Sequence, residues 1–229
     1  MADALAGLMA AKSFHADVKH LALTGGDHPV VGPELESYLN TFNGLLGTIA
    51  GNVAGETARI CAEVVFGFNA ADAEKQAVID NCISKWKFLK EAKQESKEMA
   101  AGYYLAAKAI CDERGYEAIS LKDVDGMKKL CGFPPAPIFM LLSEDGYTTV
   151  PENDSLGAVT QLMMNRLTGQ LAGYLEFYEF FDNSVLAGVP DFVAADTVAG
   201  ETYTVLPAAF GMLSQGILNV SKVKTGTVT

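Results

Sequence analysis

Residues 141–167 read LLSEDGYTTVPENDSLGAVTQLMMNRL, and this stretch decides the fold prediction because a β-prone run is followed directly by an apolar helical run. We expect a strand over residues 147–150, where a proline ends the hydrogen-bonding ladder. A helix should begin at Asp154 or Ser155 and continue through the apolar positions that follow. Glu152 then lies just beyond the carboxyl end of a strand, which is where α/β proteins bind their ligands.

The preceding segments alternate between helical and strand patterns. Asp72–Arg114 has a long helical pattern with a break near Gln94, and Gly115 is placed to end it. Ala118–Leu121 has the composition of a short strand. This alternation predicts an α/β domain over residues 1–172, with a largely parallel, Rossmann-like sheet.

The first part of the chain gives weaker signals. Residues 20–24 resemble a buried strand, residues 25–29 a loop, and a helical pattern begins near Glu34. The loop lacks the glycine spacing of known phosphate-binding loops, so we interpret it as an ordinary turn. Residues 56–66 are predicted as a helix packed by small side chains.

The segments after residue 172 favour strands. Residues 173–180 read GYLEFYEF, and the alternation predicts a strand in which large neighbours shield Glu176 from water. Later Thr- and Val-rich segments, such as ETYTVLP and TGTVT, continue the β-prone pattern. Residues 173–229 are therefore predicted to form a β-rich C-terminal portion.

Composition narrows the classes of protein and partner. The formal net charge is −11 over 229 residues, and no cluster of Lys and Arg is present, so no nucleic-acid partner is expected. No apolar run is long enough to span a membrane, and Asp3 argues against a signal peptide, so a cytoplasmic protein is expected. Four widely spaced cysteines predict reduced, mostly buried thiols: Cys61, Cys82, Cys111 and Cys131.

The surface composition predicts self-association. The mean hydropathy is +0.17, which is high for a soluble chain, and glycine is frequent. A chain of this kind is expected to cover apolar surface by forming a homo-oligomer.

Acidic residues fall at the predicted strand ends, where Asp123 and Asp125 follow one strand and Glu152 and Asp154 follow the next. For Asp154 the simplest interpretation is a helix cap, which needs no ligand. A partly buried carboxylate such as Glu176 instead needs a proton, a cation or hydrogen-bond donors. A metal or substrate role is therefore a reasonable prediction for the acids.

Three segments resemble the arabinose isomerase branch of the L-arabinose/L-fucose isomerase superfamily. They are LLSEDGYTTVPENDSLGAVTQLMM, GYLEFYEFF and VLAGVPDFV, which occur in the family's order and with nearly its spacing. The upstream segment GYEAISLKDVDGMKKLCGFPPAP is also similar to that family, and the tail GILNVSKVKTGTVT resembles its fucose-like branch. The resemblance covers about half of the chain, from roughly residue 100 onward.

The resemblance implies an enzyme that interconverts an aldose and a ketose through an enediol, with a small-molecule sugar as substrate. It implies a divalent cation, usually Mn²⁺ and alternatively Mg²⁺, held by two carboxylates and two histidines. The two carboxylates match Glu152 and Glu176, which would also be the catalytic residues. Asp154 matches a family aspartate and is given a supporting role. A cation of this kind polarises the oxygens of the sugar, while a carboxylate moves a proton between adjacent carbons.

The chain departs from the family at the histidine ligands. Val189 stands where the family has its first histidine, and no histidine follows His28. Asp191 is a candidate substitute, with a supporting role, and another chain could also supply the missing ligands. Two carboxylates alone hold Mg²⁺ or Mn²⁺ with water completing the shell.

Three hypotheses follow from the sequence. The first is a divergent metal-dependent sugar isomerase. The second is a non-catalytic relative that binds a sugar or a protein through the same cleft. The third is a generic α/β domain in which the acids are helix caps and surface groups.

Overall fold

The computed structural model describes residues 70–189, 192–208 and 216–226. All of them lie within the compact unit Glu56–Thr229. The strand, loop and helix predicted between residues 20 and 34 lie outside the described residues, and so does the helix predicted over 56–66. The described chain is a mixed α/β fold in which helices alternate with small sheets.

The helices are α1 (Asp72–Asn81), α2 (Gln94–Arg114), α3 (Ala136–Glu144) and α4 (Ser155–Thr168). The strands are β1 (Lys87–Phe88), β2 (Ala118–Ser120), β3 (Thr148–Val150), β4 (Glu176–Phe180), β5 (Val185–Gly188), β6 (Thr204–Leu206) and β7 (Leu218–Asn219). A π-helix spans Asp123–Cys131, and 3-10 turns span Ile83–Lys85 and Ala195–Thr197.

The long helical pattern before Gly115 is two helices, as predicted, but the interval between them is wider than expected. The first helix ends at Asn81 and the second begins at Gln94, with β1 between them. β1 is a strand because it pairs in parallel with β6, and Lys87 is opposite Thr204. This pairing overrides the local helical pattern. Gly115 ends α2 with a φ of 67°, as predicted.

β2 and β3 form the predicted parallel pair, with Ala118 opposite Thr148 and Ser120 opposite Val150. The π-helix and α3 connect the two strands, so this part of the chain is a βαβ unit followed by α4. Within the described residues the sheet holds these two strands. The wider Rossmann-like sheet therefore stays a prediction.

The core is built around α3, in which all eight residues from Ala136 to Ser143 are buried. The Phe139 and Phe192 rings pack with their centroids 5.7 Å apart. The Ser143 hydroxyl accepts a hydrogen bond from the Ala195 amide at 3.0 Å. Residues 192–198 are therefore held against the helix by both apolar and polar contacts.

After residue 172 the described chain contains four strands and one 3-10 turn. β4 and β5 form an antiparallel hairpin, and β6 pairs with β7 in antiparallel and with β1 in parallel. The sheet β1–β6–β7 thus takes strands from both sides of residue 172. The domain boundary between residues 172 and 173 stays a prediction.

No helix among the described residues has both the length and the apolar composition needed to cross a membrane. Cys82, Cys111 and Cys131 are free thiols, and Cys111 is fully buried. Cys61 lies outside the described residues.

Replacement of Leu141 by alanine should destabilise the protein by about 2–5 kcal/mol, because it leaves a cavity at a side chain of α3 that is 1% exposed. Leu167→Ala is the matched control, since Leu167 is also helical but 55% exposed, and its change should stay within about 0.5 kcal/mol. Urea unfolding followed by circular dichroism measures both. Equal losses in the two variants would contradict the central position of α3.

Candidate functional site

β3 runs into α4 through the turn Pro151–Asp154, in which the Asp154 amide donates to the Pro151 carbonyl at 3.3 Å. The two central residues have left-handed backbones, with a φ of 65° at Glu152 and 61° at Asn153. These angles are typical of a type I′ turn, which asparagine and glycine adopt more readily than glutamate. Glu152 therefore occupies a strained backbone position, at a cost of about 1–2 kcal/mol.

Hydrogen bonds from β2 hold this turn in place. The Asn153 amide donates to the Leu121 carbonyl at 3.1 Å, just after the end of β2. The Ser120 hydroxyl donates to the Pro151 carbonyl at 3.4 Å. The carboxyl ends of the two parallel strands are thereby joined, and Glu152 is held at that edge of the sheet.

Asp154 caps α4, as predicted. Its Oδ1 atom accepts a hydrogen bond from the Gly157 amide at 2.8 Å, which satisfies one of the donors at the helix N-terminus. A Cβ atom on Gly157 would lie 2.5 Å from Asp154 Oδ2 and 2.9 Å from Tyr174 Cε2. The lack of a side chain at Gly157 therefore lets the Tyr174 ring approach the capping carboxylate.

The Tyr174 hydroxyl contacts one of the predicted acids, and the charges of two others act on it. It donates to Asp154 Oδ2 at 3.2 Å. Burial raises the pKa of Tyr174 to about 12, and Asp154 adds to the rise through its charge and this hydrogen bond. The charges of Glu176 and Glu152 raise the Tyr174 pKa in the same direction. All three acids therefore lie within electrostatic reach of one protonated phenol.

The environment of Glu176 differs from the prediction. Glu176 begins β4 and is partly buried, but the aromatic side chains that follow it in the strand are exposed. Phe177 is 67% exposed and Tyr178 is 49% exposed. The reason is that β4 pairs with β5 alone among the described strands, so little covers the faces of this hairpin.

Buried polar groups follow the ends of the same strands. Lys128 Nζ lies 3.3 Å from Asp123 Oδ2, and each of the two side chains is 6% exposed. The Ser155 hydroxyl and the Asn153 Oδ1 atom are buried and have no hydrogen-bond partner among the described residues. Unpaired buried oxygens are uncommon in proteins, so they mark this edge as a place that a ligand or water could satisfy.

Sequence patterns did not single out Tyr174 or Lys128 as site residues. Tyr174 lies in the β-prone run that contains Glu176, and Lys128 lies in the segment GYEAISLKDVDGMKKLCGFPPAP, where only the acids indicated a role. The sequence feature that could have indicated Tyr174 is its position two residues before Glu176. The residues next to Lys128 in the sequence give no indication that its side chain is buried.

The remaining candidate ligands are only partly placed. Val189 is partly buried and follows Gly188, the residue that pairs with Glu176. Asp191 lies outside the described residues, and so does the side chain of Asp125. Within the ranges that the structure describes, no three Asp, Glu, His or Cys side chains converge closely enough to hold a metal ion.

A cavity of about 430 Å³ lies at the opposite edge of the β2–β3 pair, next to the first residues of both strands. Its charged groups already have partners: Lys108 Nζ lies 3.2 Å from Asp145 Oδ2, and the Arg166 guanidinium contacts the Glu117 carboxylate. A ligand would have to compete with these ion pairs. The edge that carries Glu152 is therefore the stronger candidate.

Comparison with known proteins adds no identification. No model of a protein family matches the chain, and no curated protein matches it. The resemblance to sugar isomerases remains a prediction from the motifs.

Replacement of Asp154 separates its two contacts. Asp154→Asn keeps a capping oxygen but removes the charge, so the pKa of Tyr174 should fall from about 12 with little loss of stability. Asp154→Ala should lower the pKa of Tyr174 as well and cost about 1 kcal/mol through loss of the cap. Ultraviolet titration of the phenolate, with Tyr174→Phe as the reference, measures the pKa.

The raised pKa of Tyr174 also makes the stability of the folded protein depend on pH. Because the folded pKa lies above the unfolded value, this contribution is complete below about pH 10 and is lost as the pH rises toward about 12. An unchanged Tyr174 pKa in both Asp154 variants would contradict the contact between the two side chains.

Proposed function

We propose that this chain is a divergent, metal-dependent aldose–ketose isomerase whose sugar substrate binds beside Glu152 and Glu176. The observation that carries the proposal is that Glu152, Asp154 and Glu176 all act on the Tyr174 hydroxyl. The three acids are separated in the sequence, so their approach to one phenol is a property of the fold. The parallel β2–β3 pair with its helical connection supports a Rossmann-like domain as part of this proposal.

The oxygen atoms at this edge fit a hard divalent cation such as Mn²⁺ or Mg²⁺. Glu152 and Glu176 would hold the ion, and the buried oxygens of Asn153, in the turn, and Ser155, at the start of α4, could act as neutral ligands. When bound, the cation would polarise the carbonyl and hydroxyl oxygens of the sugar. With two charged protein ligands, water or the sugar itself must complete the coordination shell.

The protein's own groups suit enediol chemistry. One of the two glutamates accepts the proton from the carbon beside the sugar carbonyl and returns it to the neighbouring carbon. Tyr174 stays protonated at neutral pH because its pKa is about 12, so it acts as a hydrogen-bond donor. Its bond to Asp154 fixes the turn that carries Glu152. Strained backbone of the kind found at Glu152 is concentrated at functional sites.

A second function, sugar binding without catalysis, is favoured by one observation. The sequence has three histidines, and none follows His28. Loss of the family's histidine ligands weakens the hold on the cation more than it weakens hydrogen bonding to a polyhydroxylated ligand.

Titration calorimetry with Mn²⁺ tests the cation site. Glu176→Gln should weaken binding about tenfold, because one of two charged ligands is lost. Val189→His should strengthen binding, since the imidazole adds a third protein ligand beside the residue that pairs with Glu176.

Glu179→Gln is the matched control for this titration. Glu179 lies on the same strand but is exposed, and it is not among the charges that act on Tyr174. Its replacement should leave Mn²⁺ affinity unchanged. Equal affinities in the wild type, Glu176→Gln and Val189→His would mean that the acids serve only as cap and surface groups.

Deuterium exchange separates catalysis from binding. We expect Mn²⁺-loaded protein in D₂O to place deuterium on the carbon next to the carbonyl of an aldose, because the enediol exchanges its proton with solvent. Proton NMR of a panel of aldoses detects even slow exchange. Sugar-dependent thermal stabilisation without deuterium uptake would support the binding protein and contradict the isomerase.

A further inference from the structure

The β4–β5 hairpin exposes an unusual amount of apolar surface. Phe180 is 76% exposed, Phe177 67%, Phe181 54% and Tyr178 49%. Leu175, Val185 and Leu186 are also between 43% and 51% exposed. Seven of the twelve large apolar side chains that are exposed in the described residues therefore lie on or beside this one hairpin.

The exposed area is close to what a stable interface uses. A buried aromatic side chain covers about 150–250 Å², so four rings that are half to three-quarters exposed offer roughly 400–500 Å². The three aliphatic side chains add to this area. A standard interface takes about 800 Å² from each partner, whereas isolated two-stranded hairpins are marginally stable in water. The hairpin therefore exposes enough apolar area for an interface, and a covering partner would stabilise it.

The charge of the hairpin indicates which partner fits. Glu176, Glu179 and Asp182 lie on it or at its tip, and the sequence has no Lys or Arg between Arg166 and Lys222. None of the three acids forms an ion pair within the part of the chain that the structure describes. The surface is thus both apolar and acidic, and it complements an apolar surface with exposed cations.

The segment Lys85–Lys93, which we name the basic segment, presents exposed cations around one exposed apolar side chain, and its single acid, Glu91, is already paired with Lys97. Its exposed cations are Lys85, Lys87, Lys90 and Lys93, and none of them is in an ion pair among the described residues. Leu89 is 53% exposed at its centre. Within the described sheet, β1 is an edge strand with one side unpaired.

We propose that the β4–β5 hairpin of one copy docks on the basic segment of a second copy of this chain. The apolar side chains of the hairpin cover Leu89 and the edge of β1, and Glu179 and Asp182 lie against the lysines. Two different surfaces meet, so the contact is heterologous, and a docked pair leaves one hairpin free on one copy and one basic segment free on the other. The assembly therefore grows into a ring or a chain of copies rather than stopping at a two-fold dimer.

Sedimentation velocity of the full chain tests the proposal. We expect the average mass to exceed 24.3 kDa at micromolar concentration and to rise with concentration. High salt should lower the mass, because the lysines and acids are exposed and screened.

Two charge-reversed variants sharpen the test. One carries Glu179→Lys and Asp182→Lys on the hairpin, and the other carries Lys87→Glu and Lys90→Glu on the basic segment. Each alone should associate at least about tenfold more weakly than the wild type, because like charges then face each other. A 1:1 mixture should recover association, since each variant presents the surface that the other needs.

Recovery of association in the mixture cannot result from a folding defect, because two misfolded variants would not associate when they are mixed. Recovery in the mixture supports the docking. A wild type that sediments only at 24.3 kDa would overturn it and leave the hairpin for a different, basic partner. Undiminished association of the basic-segment variant would also overturn it, since hairpins would then pair with each other.

Discussion

The burial of α3 along eight of its nine residues is the constraint on which the rest of the described structure depends. The helix reads APIFMLLSE and has no polar face for water along its first seven residues, so it must be covered on every side. Trp86, which precedes α3 in the sequence, donates from its indole nitrogen to Glu144 Oε1 at 2.9 Å. Tyr203, which follows α3, donates from its hydroxyl to the Met140 carbonyl at 3.5 Å. Segments that are distant in the sequence are therefore joined through one short helix.

The elements of the βαβ unit were predictable because their signals are local. A proline ends β3, Asp154 caps α4 and a glycine ends α2, and each of these residues acts within a few positions of itself. β1 was not predictable, since it is a strand only because β6 pairs with it. The wider parallel sheet was an extrapolation from alternating patterns, and the described residues contain two of its strands.

For the candidate site, the sequence identified the acids but not their arrangement. Glutamate is an uncommon residue in left-handed backbone, so the strain at Glu152 appears only in the fold. Tyr174 reaches Asp154 because Gly157 leaves room for its ring, and that fit depends on contacts between two elements. The burial of Lys128 likewise depends on the π-helix, in which the Met127 amide reaches back five residues to the Lys122 carbonyl.

The pairing of β1 with β6 has a consequence for the order of folding. β2, α3, β3 and α4 are consecutive, so this part of the chain can close over short loops as soon as it has left the ribosome. β1 precedes them, yet its partner is made after all of them. Closure of such a long loop is entropically costly and comes late. During synthesis the segment around Lys87–Phe88 therefore waits with its backbone unpaired until β6 is made, and this interval is when a chaperone would have most to protect.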